Sequence, residues 1–278
     1  MKIALAGGTS LLARDLISSL EVMGHDVFVF SREPKSENTL EYSKLSSSNF
    51  NLIVNMSGGH RTSAELGYVG SILRLGEFMA EVALEQDAHL IHLSSGSCLR
   101  PDSILTSSTP LASPPYRSPY QEAKVSLETL HRTLRAKQPI ADLRIFSFAD
   151  KFFLRDSTYL LGAILESKKA GRQFEFSGDE FIRDYIGGRE LASAIISACE
   201  DLHSGAFNLF SSQPVHSGEL VDLLIEAWGC DIAYGEESRR SCKAYFAEPE
   251  SLLRNYTPRS SLEVISEAFR LNSSELWS

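Results

Sequence analysis

The chain has 278 residues, 43% hydrophobic and 23% charged, a composition expected of a soluble globular protein with a substantial core in one large domain or two. A formal net charge of -9 with no offsetting basic run excludes general nucleic-acid binding. No apolar stretch is long enough for a membrane span, and the chain enters a strand at Lys2 with no signal peptide, so a cytoplasmic protein is predicted.

The four cysteines (Cys98, Cys199, Cys230, Cys242) form no CxxC pair and no His/Cys cluster. They read as reduced thiols, neither a disulfide framework nor a zinc site, and no metal is expected. No internal repeat or extended low-complexity tract appears.

Met1 to Ala6 is a short apolar run leading into Gly7-Gly8-Thr9-Ser10-Leu11-Leu12-Ala13. Leu12, Leu16, Ile17 and Leu20 then follow at helical spacing. Strand, small-residue turn and helix open a dinucleotide-binding βαβ unit, in which small residues let the backbone approach a pyrophosphate lying on the helix N-terminus. The glycine positions read Gly7, Ser10, Ala13, a reduced form of GxxGxxG. Gly7, Thr9, Ser10, Leu11 and Leu12 are therefore candidate cofactor-binding residues.

A second strand, Asp26 to Phe30, ends in Ser31-Arg32. At this position an acidic residue binds the ribose hydroxyls of NAD, whereas an arginine accommodates the 2′-phosphate of NADP. Arg32 has no acidic residue just before it, which favours NADP over NAD. Lys35 to Phe50 reads as a short polar segment. Asn51 to Asn55 reads as a buried parallel strand, and the loop after it offers Ser57 and Gly58 to the same ligand crevice. A helix is predicted from about Thr62 to Glu85, then a strand over His89–Leu93, in which His92 is given no role.

Ser94-Ser95-Gly96-Ser97 follows that strand directly, so a serine there can hydrogen-bond a substrate oxygen. Pro101 to Pro119, rich in Pro, Ser and Thr, reads as a loop over the site. Ser118 and Pro119 then signal a helix start, with the helix running to Lys137. On it Tyr120 and Lys124 stand one turn apart on one face. A free phenol has a pKa of ~10, and an ammonium beside it favours the phenolate, so the pair is a compact acid/base device.

Together these residues resemble the extended short-chain dehydrogenase/reductases, the NAD(P)-dependent epimerase/dehydratase group that works largely on nucleotide sugars. In that family an "SS" turn precedes a Tyr-xxx-Lys motif by about 25 residues; here Ser95 precedes Tyr120 by 25. The likeness runs on through Asn51–Ser57 ("DxVxHxA"), Leu143-Arg144-Ile145-Phe146 ("LRxxN"), Arg183-Asp184-Tyr185-Ile186 ("RDYIHVxD"), Gly205–Leu209 ("GxxNxG") and Glu248–Leu253. Ser147-Phe148-Ala149-Asp150-Lys151 replaces the usual "NxYGP", and Gly187-Gly188-Arg189-Glu190 the "HVxD".

The resemblance implies a Rossmann-type α/β fold, a doubly wound parallel sheet with a smaller α/β C-terminal substrate domain. The NAD(P)-binding domain would take 1–150 plus about 183–210; the substrate domain about 151–182 and 211–278. It implies that Tyr120 exchanges a proton with substrate, that Lys124 holds the nicotinamide ribose, and that Ser95 orients the substrate oxygen, with Ser97 beside it. Arg183 would face the diphosphate of a nucleotide-sugar substrate, and Arg239 or Arg240 lies where a second such arginine is often found. Family members commonly form homodimers through the two helices predicted over 62–85 and 120–137. Leu127 and Leu130 are candidates for that shared face or for the core.

Three functions are compatible. An NADPH-dependent ketoreductase acting on a nucleotide-linked keto sugar leads, on Arg32. An NAD-dependent epimerase needs only Ser95, Tyr120 and Lys124. A non-catalytic cofactor sensor or scaffold comes third, because such relatives generally lose the tyrosine or the lysine. Dehydration is disfavoured, since Gly96-Ser97 stands where dehydratases carry acidic residues.

Overall fold

The computed structural model describes residues 1–34, 39–57, 67–100, 105–106, 108–176, 180–235, 243–248 and 256–273. Six strands lead the main sheet: β1 (Lys2–Ala6), β2 (Asp26–Ser31), β3 (Thr39–Glu41), β4 (Leu52–Asn55), β5 (His89–Ser95) and β6 (Ile140–Ile145). The seventh is Gly205–Asn208, and the order across the sheet is that strand, then β6-β5-β4-β1-β2-β3. Every pairing is parallel. Its central strands are buried without alternation because helices cover both faces; all four residues of β4 and all seven of β5 are buried. The fold is a Rossmann-type α/β fold, as expected.

The helices are α1 (Leu11–Val22), α2 (Tyr68–Glu85), α3 (Pro119–Leu134), α4 (Leu160–Lys169), α5 (Gly188–Glu200), α6 (Ser217–Glu226) and α7 (Ser261–Ser273). Ser10 caps α1, its hydroxyl accepting from Ala13 N at 3.1 Å. Leu16 and Leu20 of α1 join Leu191 and Ile195 of α5 in the core on one sheet face. Met79 and Ala83 of α2 pack with Phe30 and Leu90 on the other. A separate core gathers α4, α6 and α7 around Ile164, Leu224 and Phe269.

Several boundaries differ from the sequence reading. Of the helix expected from about Thr62, residues 62–66 lie outside the described residues; the described helix runs Tyr68–Glu85, with Gly67 at φ 84 as its N-cap. The helix expected to reach Lys137 stops at Leu134. The segment read as merely polar holds β3 and a 3₁₀ turn over Tyr42–Ser47, anchored by buried Leu45. The strand expected to end at Leu93 continues through Ser94 and Ser95, so the serines stand on the sheet rather than beyond it.

Candidate active site

Between β1 and β4 the strand order reverses, and the crevice outside the carboxyl ends of those strands is where open α/β sheets bind ligands. A cavity of about 930 Å³ opens there. Gly7, Thr9, Ser10, Leu11, Leu12 and Arg32 line it together with Ser57, Ser95, Tyr120, Lys124 and Arg183. Ser97 does not line it. Gly58, Arg239 and Arg240 lie outside the described residues, as does Cys242; Cys98, Cys199 and Cys230 are free and buried.

The glycine turn fits a closely approaching ligand. Gly7 has φ +88, and a Cβ there would lie 3.1 Å from Met56 C and Ser57 N, so a side chain would close the gap between the ends of β1 and β4. Just beyond, the N-terminus of α1 faces the cavity through Ser10, Leu11 and Leu12. Ser31 Oγ, buried on the same wall, has no hydrogen-bond partner among the described residues. Turn, helix end and orphaned hydroxyl are the groups a dinucleotide would use. Arg32 is exposed at the rim, with Glu33 and the half-buried Tyr42 beside it.

On the same cavity α3 places the acid/base pair. Ser118 Oγ accepts from Gln121 N at 3.2 Å and Pro119 takes the first turn, which fixes where the helix starts. Tyr120 is half-buried, with Lys124 Nζ 5.8 Å from its ring centroid. Lys124 is 4% exposed and donates to Leu93 O at 2.6 Å and Ser57 O at 3.0 Å. Burial brings its pKa down to about 8, although the nearby charges of Asp142 and Glu128 favour the ammonium.

Ser95 ends β5, its Oγ accepting from Ser97 N at 3.2 Å and from Ser97 Oγ at 2.9 Å. Both bonds use Ser95 as acceptor, so its own O–H hydrogen stays available to the cavity. Ser97 thus supports Ser95 instead of lining the cavity as a substrate residue would. Ser94 also borders the cavity, but its hydroxyl donates to Glu128 at 2.5 Å.

Other residues on the cavity wall were given no role from the sequence. Phe146, Phe148, Phe153, Tyr159 and Tyr185 make the half beyond Tyr120 strongly aromatic. Arg183 stands among them, its guanidinium 4.4 Å from the Phe181 ring centroid. Its neighbour Asp184 is buried and accepts from Ser211 N at 2.9 Å and Ala247 N at 2.7 Å, which fixes the segment. His92, given no role from sequence, lies fully buried 3.2 Å from Lys124 Nζ.

Residues 3–209 match the NAD dependent epimerase/dehydratase family, about three-quarters of the chain. The chain belongs to that family. No curated protein matches it in sequence. Among solved structures, UDP-N-acetylglucosamine 4-epimerase from Bacillus cereus superposes with a TM-score of 0.82 at 16% identity, covering 98% of this chain and 99% of that one. The dTDP-glucose 4,6-dehydratase of Bacillus anthracis, solved with NAD, gives 0.80 at 16%, covering 100% and 98%. ADP-L-glycero-D-manno-heptose-6-epimerase from Helicobacter pylori gives 0.77 at 16%, covering 100% and 96%. At such identities the likeness is one of fold. Family membership makes this chain an enzyme of the NAD-dependent epimerase/dehydratase type.

Proposed function

We propose that the chain is an NAD(P)-dependent oxidoreductase acting on a nucleotide-linked sugar, most readily as an NADPH-dependent ketoreductase. The observation that carries this reading is one cavity that joins a glycine turn and helix N-terminus to Ser95, Tyr120 and Lys124. Gly7, Thr9, Ser10, Leu11, Leu12, Arg32 and Ser57 would hold the dinucleotide, and Tyr120 and Lys124 would border its nicotinamide end. When bound, the cofactor supplies a hydride to the substrate carbon.

Tyr120 gives its phenolic proton to the carbonyl oxygen as that oxygen gains charge, leaving a phenolate. Lys124 steadies the phenolate with its ammonium, and a proton from solvent restores the phenol. Ser95 donates its free O–H to the same substrate oxygen and holds it in line with Tyr120. Arg183 would meet the substrate diphosphate through its fork of N–H donors, and the aromatic wall would take the flat faces of base and sugar. Gly58 and Arg240, outside the described residues, complete the expected set, with Ser97 acting through Ser95.

A second reading, an NAD-dependent epimerase, is favoured by Glu33, a carboxylate on the same wall as Arg32 that could accept from ribose hydroxyls. The reading extends to a homodimer through α2 and α3 and to a reducing cytoplasm, which suits the free thiols. The deciding experiment titrates NADPH and NADH into purified protein and inspects a fresh preparation for co-purified nucleotide. Exchangeable binding that prefers NADPH and is lost in Arg32→Ala supports the reductase. Tightly held NAD+ supports the epimerase. Binding of neither overturns both and leaves a non-catalytic member.

A further inference from the structure

Behind Lys124 lies a buried ionisable array that the proposed chemistry leaves unused. His92 Nε2 is 3.2 Å from Lys124 Nζ, and His92 Nδ1 is 2.8 Å from Asp142 Oδ1. The same carboxylate oxygen receives His131 Nδ1 at 2.7 Å, and its other oxygen receives Arg135 Nη2. His92, His131 and Asp142 are each fully buried.

The chemistry of the partners fixes the tautomer. An ionised carboxylate only accepts, so His92 Nδ1 carries the hydrogen. With Nδ1 protonated, neutral His92 presents a bare Nε2 lone pair to Lys124. Burial, with the charge of Lys124, brings the His92 pKa down to about 3, so the ring stays neutral near pH 7. Burial alone would push the Asp142 carboxyl up; His131 and His92 outweigh it and hold it well below the usual range.

An ammonium has three N–H donors, and Lys124 has three acceptors around it: Ser57 O, Leu93 O and His92 Nε2. Two are backbone carbonyls that no substitution removes. The third is a side chain held from behind by Asp142. Asp142 on β6 and Glu128 on α3 are the charged groups that bear on this ammonium, with the Cys98 thiol beyond β5 and the Tyr120 ring 5.8 Å away; His131 on α3 and Arg135 just past it bind Asp142, and Arg144 on β6 binds Glu128. The donor atoms of His92, His131 and Asp142 lie within 4.8 Å of one another. Arg135 on the carboxylate and Lys124 on the far imidazole nitrogen are cations, however, so the trio is a hydrogen-bonded relay and a poor seat for a metal.

We propose that His92, backed by Asp142, is a positioning residue for Lys124, fixing the direction of its ammonium and how tightly it holds its proton. The proposal rests on the reading that Lys124 is the lysine of the acid/base pair. Its physical content is that the lysine is tuned from inside the sheet by a side chain on β5. Losing the His92 acceptor disfavours the charged amine, so the Lys124 midpoint must fall. A lysine neutral at working pH no longer stabilises a Tyr120 phenolate, and the tyrosine becomes a weaker acid.

The test is a pH titration of lysine side-chain nitrogens by 15N NMR, with the Lys124 signal assigned through Lys124→Met. His92→Phe, which keeps a ring and removes the acceptor, should lower the Lys124 midpoint by about one unit, a tenfold change in proton affinity. His92→Gln, whose amide oxygen can accept, should restore it to within a few tenths. An unchanged midpoint in His92→Phe overturns the proposal. Should that variant fail to fold, wild-type protein decides: long-range ring correlations must show His92 with Nδ1 protonated and Nε2 bare from pH 6 to 9, and the opposite tautomer overturns the proposal. A parallel NADPH and NADH titration separates the two readings. Loss of cofactor binding with the Lys124 shift intact removes the function and leaves the positioning role, whereas cofactor binding with no shift does the reverse.

Discussion

Arg144 on β6 and Glu128 on α3 form a buried two-pronged ion pair, with Nη2 to Oε2 at 2.7 Å and Nε to Oε1 at 3.0 Å. Ser94 and Cys98 donate to the same carboxylate, at 2.5 Å and 3.1 Å, so the pair ties β6 and α3 to the end of β5 that carries Ser95. Both side chains are within 3% of full burial. Removing one partner of such a pair strands the other charge in a low-dielectric interior and costs about 3–5 kcal/mol. Glu128→Gln should lower the urea unfolding free energy by that amount. The double change Glu128→Leu with Arg144→Met should recover most of it, because no charge is then left buried. A double variant as unstable as the single one would show that the pair does more than balance charge.

Tyr120→Phe removes the phenolic proton and keeps the ring. If Tyr120 is the acid, turnover should fall by about 10²–10⁴-fold. The cofactor dissociation constant and the thermal midpoint should barely move, since the half-buried ring still packs at the start of α3. Steady-state turnover alongside a fluorescence titration of cofactor checks both. A fully active variant would remove Tyr120 from the chemistry.

The parallel sheet was legible because its strands are short apolar runs and its first turn carries small residues at a strand-to-helix junction. Tyr120 and Lys124 were legible because four residues is one helical turn. What could not be read was pairing across the fold. His92 sits 32 residues before Lys124 and 50 before Asp142; the β5–β6 register sets His92 opposite Asp142, and the packing of α3 on β5 brings Lys124 to it. Ser97 has the right residue type for a substrate contact, yet a 3₁₀ turn over Gly96–Cys98 directs its hydroxyl onto Ser95. Glu190 stands where "HVxD" ends in an acid, and it caps Gly187 N at 3.1 Å while pairing with Arg259. The Gly-x-x-Glu spacing could have signalled that cap.

Two glycines should respond differently to alanine. A Cβ on Gly162 in α4 would lie 2.1 Å from Asp156 O, a backbone atom, with Leu154 O at 3.1 Å. Backbone cannot turn aside, so the 153–162 segment on the cavity wall must shift. Gly162→Ala should cost about 2–3 kcal/mol, at the upper end of overpacking, and weaken ligand binding as well. A Cβ on Gly76 in α2 would meet Leu127 Cδ2 at 2.3 Å, the end of a flexible side chain. Rotation of Leu127, with the better helix propensity of alanine worth about 1 kcal/mol, should leave Gly76→Ala near neutral. Thermal melts of the two variants give the comparison, and equal losses would contradict it.

Asp15 on α1 carries a pH-dependent stability. It is 3% exposed, and its two oxygens accept from Phe152 N and Phe153 N at 2.9 Å each, joining α1 to the segment that places Phe153 and Leu154 on the cavity wall. Burial and the charge of Asp150 raise its pKa to about 7, against the pull of those two N–H groups and of Arg155. A carboxyl raised in the folded state binds its proton more tightly there than in the unfolded chain, where the value is near 4. Its contribution to stability is therefore full below about pH 4, declines as pH rises, and is lost above about pH 7. Asp15→Asn removes the titration and keeps the volume. The unfolding free energy of wild type minus that of Asp15→Asn should fall steadily between pH 4 and pH 7 and level off beyond. Urea midpoints at half-unit pH steps measure it; a difference that is flat in pH, or that grows with pH, would mean Asp15 stays ionised in the folded protein.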